Sequence, residues 1–112
     1  MKVKELKEIT DATVLTKNAD LDTEFERACG SDLMSDVLRF AKENIVLITG
    51  LTNIHTLRTA EMACIKCILF VRDKMPTQDI IDEAEDLDII LLQTHLPMYE
   101  ACGVLYQNGL GR

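Results

Sequence analysis

The stretch Ile45-Val46-Leu47-Ile48-Thr49-Gly50-Leu51-Thr52-Asn53 decides the fold of this chain. Its first four residues are aliphatic and mostly β-branched, and they read as a strand. Thr49-Gly50 breaks the run, and residues 54–63 follow at once with helical character. Strand, short polar turn, helix is half of a βαβ unit. A continuous aliphatic run without alternating polar residues suits a strand buried on both faces. The same grammar recurs twice downstream. Residues 66–71 are apolar after the first, and Pro76-Thr77 opens a helix running to about Leu87. Residues 89–92 form a third buried strand, Pro97 suits a helix start, and residues 98–106 complete the last helix. From Ile45 to Tyr106 the order is β-α-β-α-β-α. The expected architecture is α/β: a small, mostly parallel sheet with helices packed on it.

The first 44 residues are less regular. Residues 2–9 read as a helix, with Val3, Leu6 and Ile9 spaced by three. Residues 12–15 suit a short strand, and Asn18-Ala19-Asp20 a turn. Residues 23–29 are extended and partly polar, with Phe25 as the main apolar anchor, and they suit an edge or irregular strand. Ser31 reads as an N-cap and Asp32 as a first-turn acid. Leu33, Met34, Val37, Leu38 and Ala41 then form a helical apolar stripe through about Phe40. At the other end, Gly109-Leu110-Gly111-Arg112 reads as a frayed tail. No linker or low-complexity segment interrupts residues 1–112, so one domain is expected.

Charge narrows the function classes. Asp and Glu number 19 against 12 Lys and Arg, a formal net charge of -7. Phosphate backbones and anionic lipid surfaces would repel such a chain, so neither nucleic acid nor membrane is an expected partner. Asp79, Asp82, Glu83, Glu85, Asp86 and Asp88 follow one another without a base, as on the solvated face of a helix. No apolar run approaches a membrane span, and the start lacks a secretory segment. The expected compartment is the cytoplasm, where the four cysteines are thiols. With 4% aromatic residues and no Trp, the core is expected to be aliphatic.

Five strings occur in order: GSDLMSDVL (30–38), LITGLTN (47–53), RTAEMA (58–63), LFVRDKMPT (69–77) and MYEACGVLY (98–106). Together they resemble the DRTGG domain family, in particular its short stand-alone members. The resemblance covers nearly the whole chain from about residue 10. It implies an α/β fold related to the N-terminal domain of the HPr kinase/phosphorylase, and a non-catalytic role. In larger proteins such domains accompany phosphotransacetylase or CBS-containing pyrophosphatase modules, which implies a regulatory or dimerising function. Stand-alone members are associated with iron-hydrogenase gene clusters, which implies a redox-enzyme partner as a second reading. The namesake Asp-Arg-Thr-Gly-Gly tract is absent here, and Thr49-Gly50-Leu51-Thr52-Asn53 stands at the comparable turn.

The sheet-end turns supply the candidate ligand residues. Gly50 lets a ligand approach the backbone, Asn53 can cap the next helix, and amides there suit a phosphate or carboxylate. The turn is neither a P-loop nor a dinucleotide fingerprint, and an ordinary capped βα turn is the competing reading. Arg58 can reach an anion at the turn or pair with Glu61 three residues on. Arg72 and Lys74, after the second strand, are the best charge complement for an anion. The candidate ligand set is therefore Thr49, Gly50, Asn53, Arg58 and Arg72.

The other chemistry-bearing residues carry weaker cases. Cys64-Ile65-Lys66-Cys67 has C-x-x-C spacing, but redox activation needs the first thiol at a helix start, and Cys64 falls at a helix end. Cys29 and Cys102 add no second C-x-x-C, so neither metal nor cofactor is expected. His55 and His95 fall near sheet ends and have acid–base side chains, but no Ser or Cys nucleophile stands at motif spacing, and a polar surface role suits each better. Asp32, Ser35 and Asp36 suit a cation less well than a helix start. Met98 and Tyr99 suit core or interface. The chain is thus expected to be a non-catalytic regulatory or ligand-binding module, homodimeric, sensing a nucleotide or other small anion. The alternatives are a structural partner of a redox enzyme such as an iron hydrogenase, and a small enzyme using His95 or the cysteines.

Overall fold

The computed structural model describes residues 1–111. In chain order its elements are α1 (Val3–Ile9), β1 (Thr13–Val14), β2 (Arg27–Gly30), α2 (Met34–Phe40), β3 (Ile45–Thr49), α3 (Ile54–Met62), β4 (Cys67–Phe70), α4 (Gln78–Asp86), β5 (Ile90–Gln93) and α5 (Met98–Gln107). The strands form one five-stranded sheet in the order β1-β5-β4-β3-β2. Strands β2 to β5 run parallel, and β1 pairs antiparallel with β5. The three aliphatic runs are therefore neighbours in the interior of the sheet.

Register divides the core in two. Leu47, Ile68 and Leu91 sit side by side on one face, and Ile48, Leu69 and Leu92 on the other. On the first face α2, α3 and α4 add Val37, Leu57, Ala60, Ile81 and Ala84. On the second, α1 and α5 add Val3, Leu6, Ala101 and Leu105. A strand buried on both faces must be aliphatic at every position, and β3 and β4 are buried throughout.

One stop signal ends four helices. After α1, α3, α4 and α5 the chain enters the left-handed region at Asp11, Cys64, Asp88 and Gly109. The next amide then reaches back to a helical carbonyl: Ala12 to Lys7, Ile65 to Ala60, Ile89 to Ala84, and Leu110 to Leu105, at 2.8–3.0 Å. This is the Schellman geometry, which caps orphan carbonyls and aims the following apolar residue at the core. All four of those following residues are buried.

The same signal corrects the expected tail. Leu110 is buried, and the Gly111 amide donates to the Glu26 carbonyl at 3.0 Å, so residues 109–111 dock on the sheet edge. Arg112 lies outside the described residues. The expected strand over 23–29 is also corrected. Residues 23–25 pair with the chain start instead, through Val3 N–H to Thr23 O (3.0 Å) and Phe25 N–H to Met1 O (2.9 Å). The edge strand itself begins at Arg27. Phe25 is buried as its anchor role required.

The start of α2 differs as well. Leu33 occupies its N-cap position, and Ser31 accepts the Leu33 amide at 3.0 Å from outside the helix. Asp32 is not in the first turn, because its carboxylate is drawn to the end of β3. Of the expected stripe Val37 is fully buried, whereas Leu33 and Leu38 are exposed. The helix is short and lies over the edge of the sheet, where there is little to cover it.

Ile68, buried in the middle of the central strand, is the sharpest test of this architecture. Ile68→Asp strands a charge in the core under α2, α3 and α4 and should abolish the cooperative thermal transition. Lys66→Asp, two residues earlier and exposed, should stay within about 0.5 kcal/mol of wild type. A cooperative melt for the Ile68→Asp protein would contradict the assignment.

Candidate functional site

The carboxyl ends of β2, β3 and β4 converge on one polar cluster. Its centre is the Asp32 carboxylate. One oxygen accepts the Gly50 amide at 2.7 Å and the Thr49 hydroxyl at 2.9 Å. The other lies 3.6 Å from the Arg72 guanidinium. The Thr49 hydroxyl in turn accepts the Leu51 amide at 3.2 Å, which tightens the turn. Thr49 and Gly50 are buried, whereas Asp32 and Arg72 face solvent. The cluster is thus anchored below and open above.

Glycine at position 50 sets how closely Arg72 approaches the turn. A Cβ on Gly50 would stand 2.6 Å from an Arg72 nitrogen. Its absence lets the guanidinium lie against the turn. Arg72 and Asp73 are consecutive residues in the left-handed region, each at φ 57°. Such backbone costs on the order of 1 kcal/mol per non-glycine residue and persists where the surroundings hold it. Here they do. Arg72 N–H donates to Leu96 O (2.9 Å), Asp73 N–H to Thr94 O (3.0 Å), and the Gln93 amide to the carbonyls of Asp73 (3.0 Å) and Lys74 (3.3 Å). The loop after β4 is fastened to the loop after β5, and Arg72 is held at the sheet end.

The structure brings together Thr49, Gly50 and Arg72 from the expected set. Asn53 sits at the adjoining helix start, where it caps α3 by accepting the Thr56 amide at 3.1 Å. Arg58 is placed elsewhere. It spans α3 and α4, pairing with Glu83 at 2.9 Å and Glu61 at 3.4 Å. The hydrogen bond it donates to the Glu83 carboxylate holds its guanidinium pKa above the ordinary range. Asp32 is the residue that sequence reasoning assigned to a helix start. The available signal was a carboxylate directly following a strand, next to the strand that carries Gly50.

A second feature was not expected from the sequence. An open cleft of about 1060 Å³ runs between β2 and α5, walled largely by apolar side chains. It exists because β2 presents Ala28 and Gly30 beside Val46 and Ile48 of β3. The Cys102 sulfur leans over Gly30, 2.7 Å from where a Cβ would be. Along the other wall stand Tyr99 and Tyr106, 89% and 63% exposed. Strands β2 to β5 follow one another without reversal, so the parallel sheet has no switch-point crevice. The groove opens instead where α5 crosses back and leaves β2 uncovered.

The remaining candidates have local duties. Cys64 is the exposed helix-stop residue and Cys67 a buried core residue, its thiol pushed up to about 12 by burial. Cys29 and Cys102 are half-buried, and burial raises both pKa values. Among the described residues no group of three His, Cys, Asp or Glu side chains is placed to hold a metal ion. His55 is exposed in the first turn of α3, and His95 lies 3.9 Å from Asp11 at the surface. The acidic run on α4 is mostly solvated, but Glu83 holds Arg58 and Glu85 accepts the Lys17 amide. No described helix is long and apolar enough to cross a membrane.

No protein-family model and no curated protein matches the chain by sequence. Among solved structures it is similar to the CBS and DRTGG domains of the regulatory region of Clostridium perfringens pyrophosphatase, complexed with the activator diadenosine tetraphosphate. The TM-score is 0.78 at 12% identity, over 98% of this chain and 48% of that one. This chain therefore spans about half of that regulatory region. The likeness is one of fold, and the DRTGG-like α/β architecture implied by the sequence strings is the one the chain adopts.

The cysteine environments give a direct check. Iodoacetamide at pH 8 should label exposed Cys64 in the native protein and reach Cys67 only on unfolding. Folding keeps the Cys67 proton from an ordinary 9.0 up to about 12. Its contribution is therefore intact below pH 9 and is lost as pH rises through that window, with a slope of at most about 1.4 kcal/mol per pH unit. Cys67→Ala should melt less steeply with pH there than wild type, whatever its baseline stability. Parallel alkaline profiles would contradict the buried placement.

Proposed function

We propose that this single-domain chain is a non-catalytic, homodimeric regulatory module that senses a small anion of the nucleotide or acyl-phosphate class at the sheet end. The observation that carries the reading is the Asp32 carboxylate held by Gly50, Thr49 and Arg72. A backbone amide, a hydroxyl and a guanidinium aimed at two carboxylate oxygens form an oxyanion site by chemistry, whichever oxyanion is present. The fold likeness adds support, because the similar regulatory region is complexed with a dinucleoside polyphosphate. That region contains CBS domains as well as the DRTGG domain, so the likeness does not assign the nucleotide to one of them. The Thr49 hydroxyl beside the Asp32 carboxylate is fully buried and engaged in the turn, donating to Asp32 and accepting from the Leu51 amide, which supports binding rather than reaction.

Homodimerisation is read from α5. Tyr99, Gly103 and Tyr106 recur at helical spacing, both tyrosines are exposed, and a Cβ on Gly103 would meet nothing within 4 Å. An exposed aromatic face around a glycine, beside an apolar cleft, has the composition of an interface centre. Arg27 and Glu100 both line that cleft and offer opposite charges to a two-fold mate.

Titration with ATP and acetyl phosphate should move the Gly50 and Asn53 amide signals, with no turnover by phosphorus NMR. Arg72→Ala should weaken binding roughly tenfold or more, the loss of a charged contact worth about 1.5–3 kcal/mol. Amides that stay still at millimolar ligand would refute the anion reading. Sedimentation across a wide concentration range should show a dimer that Tyr99→Lys with Tyr106→Lys converts to a folded monomer. A wild-type monomer throughout would refute the dimer.

A further inference from the structure

We propose that Asp32 is a specificity-determining residue: its carboxylate occupies the oxyanion seat formed by Thr49, Gly50 and Arg72, so that polyanions displace it and monoanions do not. The inference rests on the anion reading above and adds how that site chooses its ligand.

Three observations carry it. First, the seat is filled. The donors an incoming oxyanion would use are engaged by Asp32, at 2.7 Å from the Gly50 amide and 2.9 Å from the Thr49 hydroxyl. Second, the occupant can leave. The Asp32–Arg72 pair spans 3.6 Å, with side chains 42% and 52% exposed, and a solvated pair of this kind contributes little. Third, the two partners are held unequally. The Arg72 backbone is fastened to the β5 loop by several hydrogen bonds, whereas the short β2–α2 connection is tied beside Asp32 by the Ser31 amide to Ile48 O (3.0 Å) and leaves the Asp32 side chain to turn about its own χ angles. The guanidinium stays while the carboxylate swings out.

Charge then decides the ligand. A monoanion replaces one negative charge with another at the same donors. It gains nothing, and the displaced Asp32 remains close enough to repel it. A polyphosphate brings extra charge and extra oxygens, which can reach Arg72 and Lys74 together with the Thr49–Gly50 donors. The chain's net charge of -7 repels a polyanion more than a monoanion, so the local contacts to Arg72, Lys74 and the turn donors are what must favour the polyphosphate.

The test uses two oxyanion probes that differ in charge, dimethyl phosphate and inorganic tripolyphosphate, read at the Gly50 amide. Wild type should bind tripolyphosphate and leave dimethyl phosphate unbound. Asp32→Ala should bind tripolyphosphate roughly tenfold more tightly and acquire binding of dimethyl phosphate. Asp32→Asn keeps an acceptor for the Gly50 amide but removes the charge. It should fall between the two, and it serves if the alanine variant fails to fold. Unchanged or weaker tripolyphosphate binding in a folded variant, with wild type still binding, would overturn the role of Asp32 and leave the anion site standing. Silence of both probes in wild type and both variants would overturn the anion site and this inference with it.

Discussion

The constraint on which the rest depends is the burial of β3, β4 and β5 on both faces. Leu47–Ile68–Leu91 on one side and Ile48–Leu69–Leu92 on the other form two aliphatic ladders across adjacent strands. Neither ladder tolerates water, so each needs a helical layer. Three helices meet the first need and two the second. The connection lengths follow, because parallel neighbours require a crossover, and each crossover here is one helix. An α/β sandwich is what those requirements leave available.

Placing the helices also places the loops. The left-handed stop after α3 and α4 delivers Ile65 and Ile89 to the core just before β4 and β5. Each strand therefore begins at a defined depth, and its carboxyl end emerges at a common level. The polar turns after β2, β3 and β4 are thereby gathered, although 40 residues separate Asp32 from Arg72. The strained pair Arg72–Asp73 shows what that gathering costs locally, and its hydrogen bonds to the β5 loop show what offsets it.

The site was only partly legible in sequence. Thr49 and Gly50 were visible because a strand that stops at Thr-Gly ahead of a helix marks a sheet-end turn. Arg72 was visible as a cation just past the next strand. Asp32 was misread because Ser-Asp before an apolar stripe is also a helix-start signal. Local chemistry could not separate the two. Arg58 illustrates the converse: its spacing allowed the sheet end or a helix pair, and the packing of α3 against α4 put Glu83 within 2.9 Å. The cleft could not be seen at all, because it arises from Ala28 and Gly30 lying beside larger residues on a strand far along the chain.

The sequence by itself determined the fold class, the three buried strands and the helices between them. Those features follow from hydrophobic periodicity, which is local and written at every position. It did not determine the ends. The chain start pairs with residues 23–25, and Leu110 docks beneath the sheet edge, because each buries apolar surface against partners distant in sequence. It also did not determine which polar groups meet. Tertiary structure decided that Asp32 faces Gly50 and Arg72, since contact across three strand ends depends on strand order, and strand order is not encoded in the periodicity of any one strand.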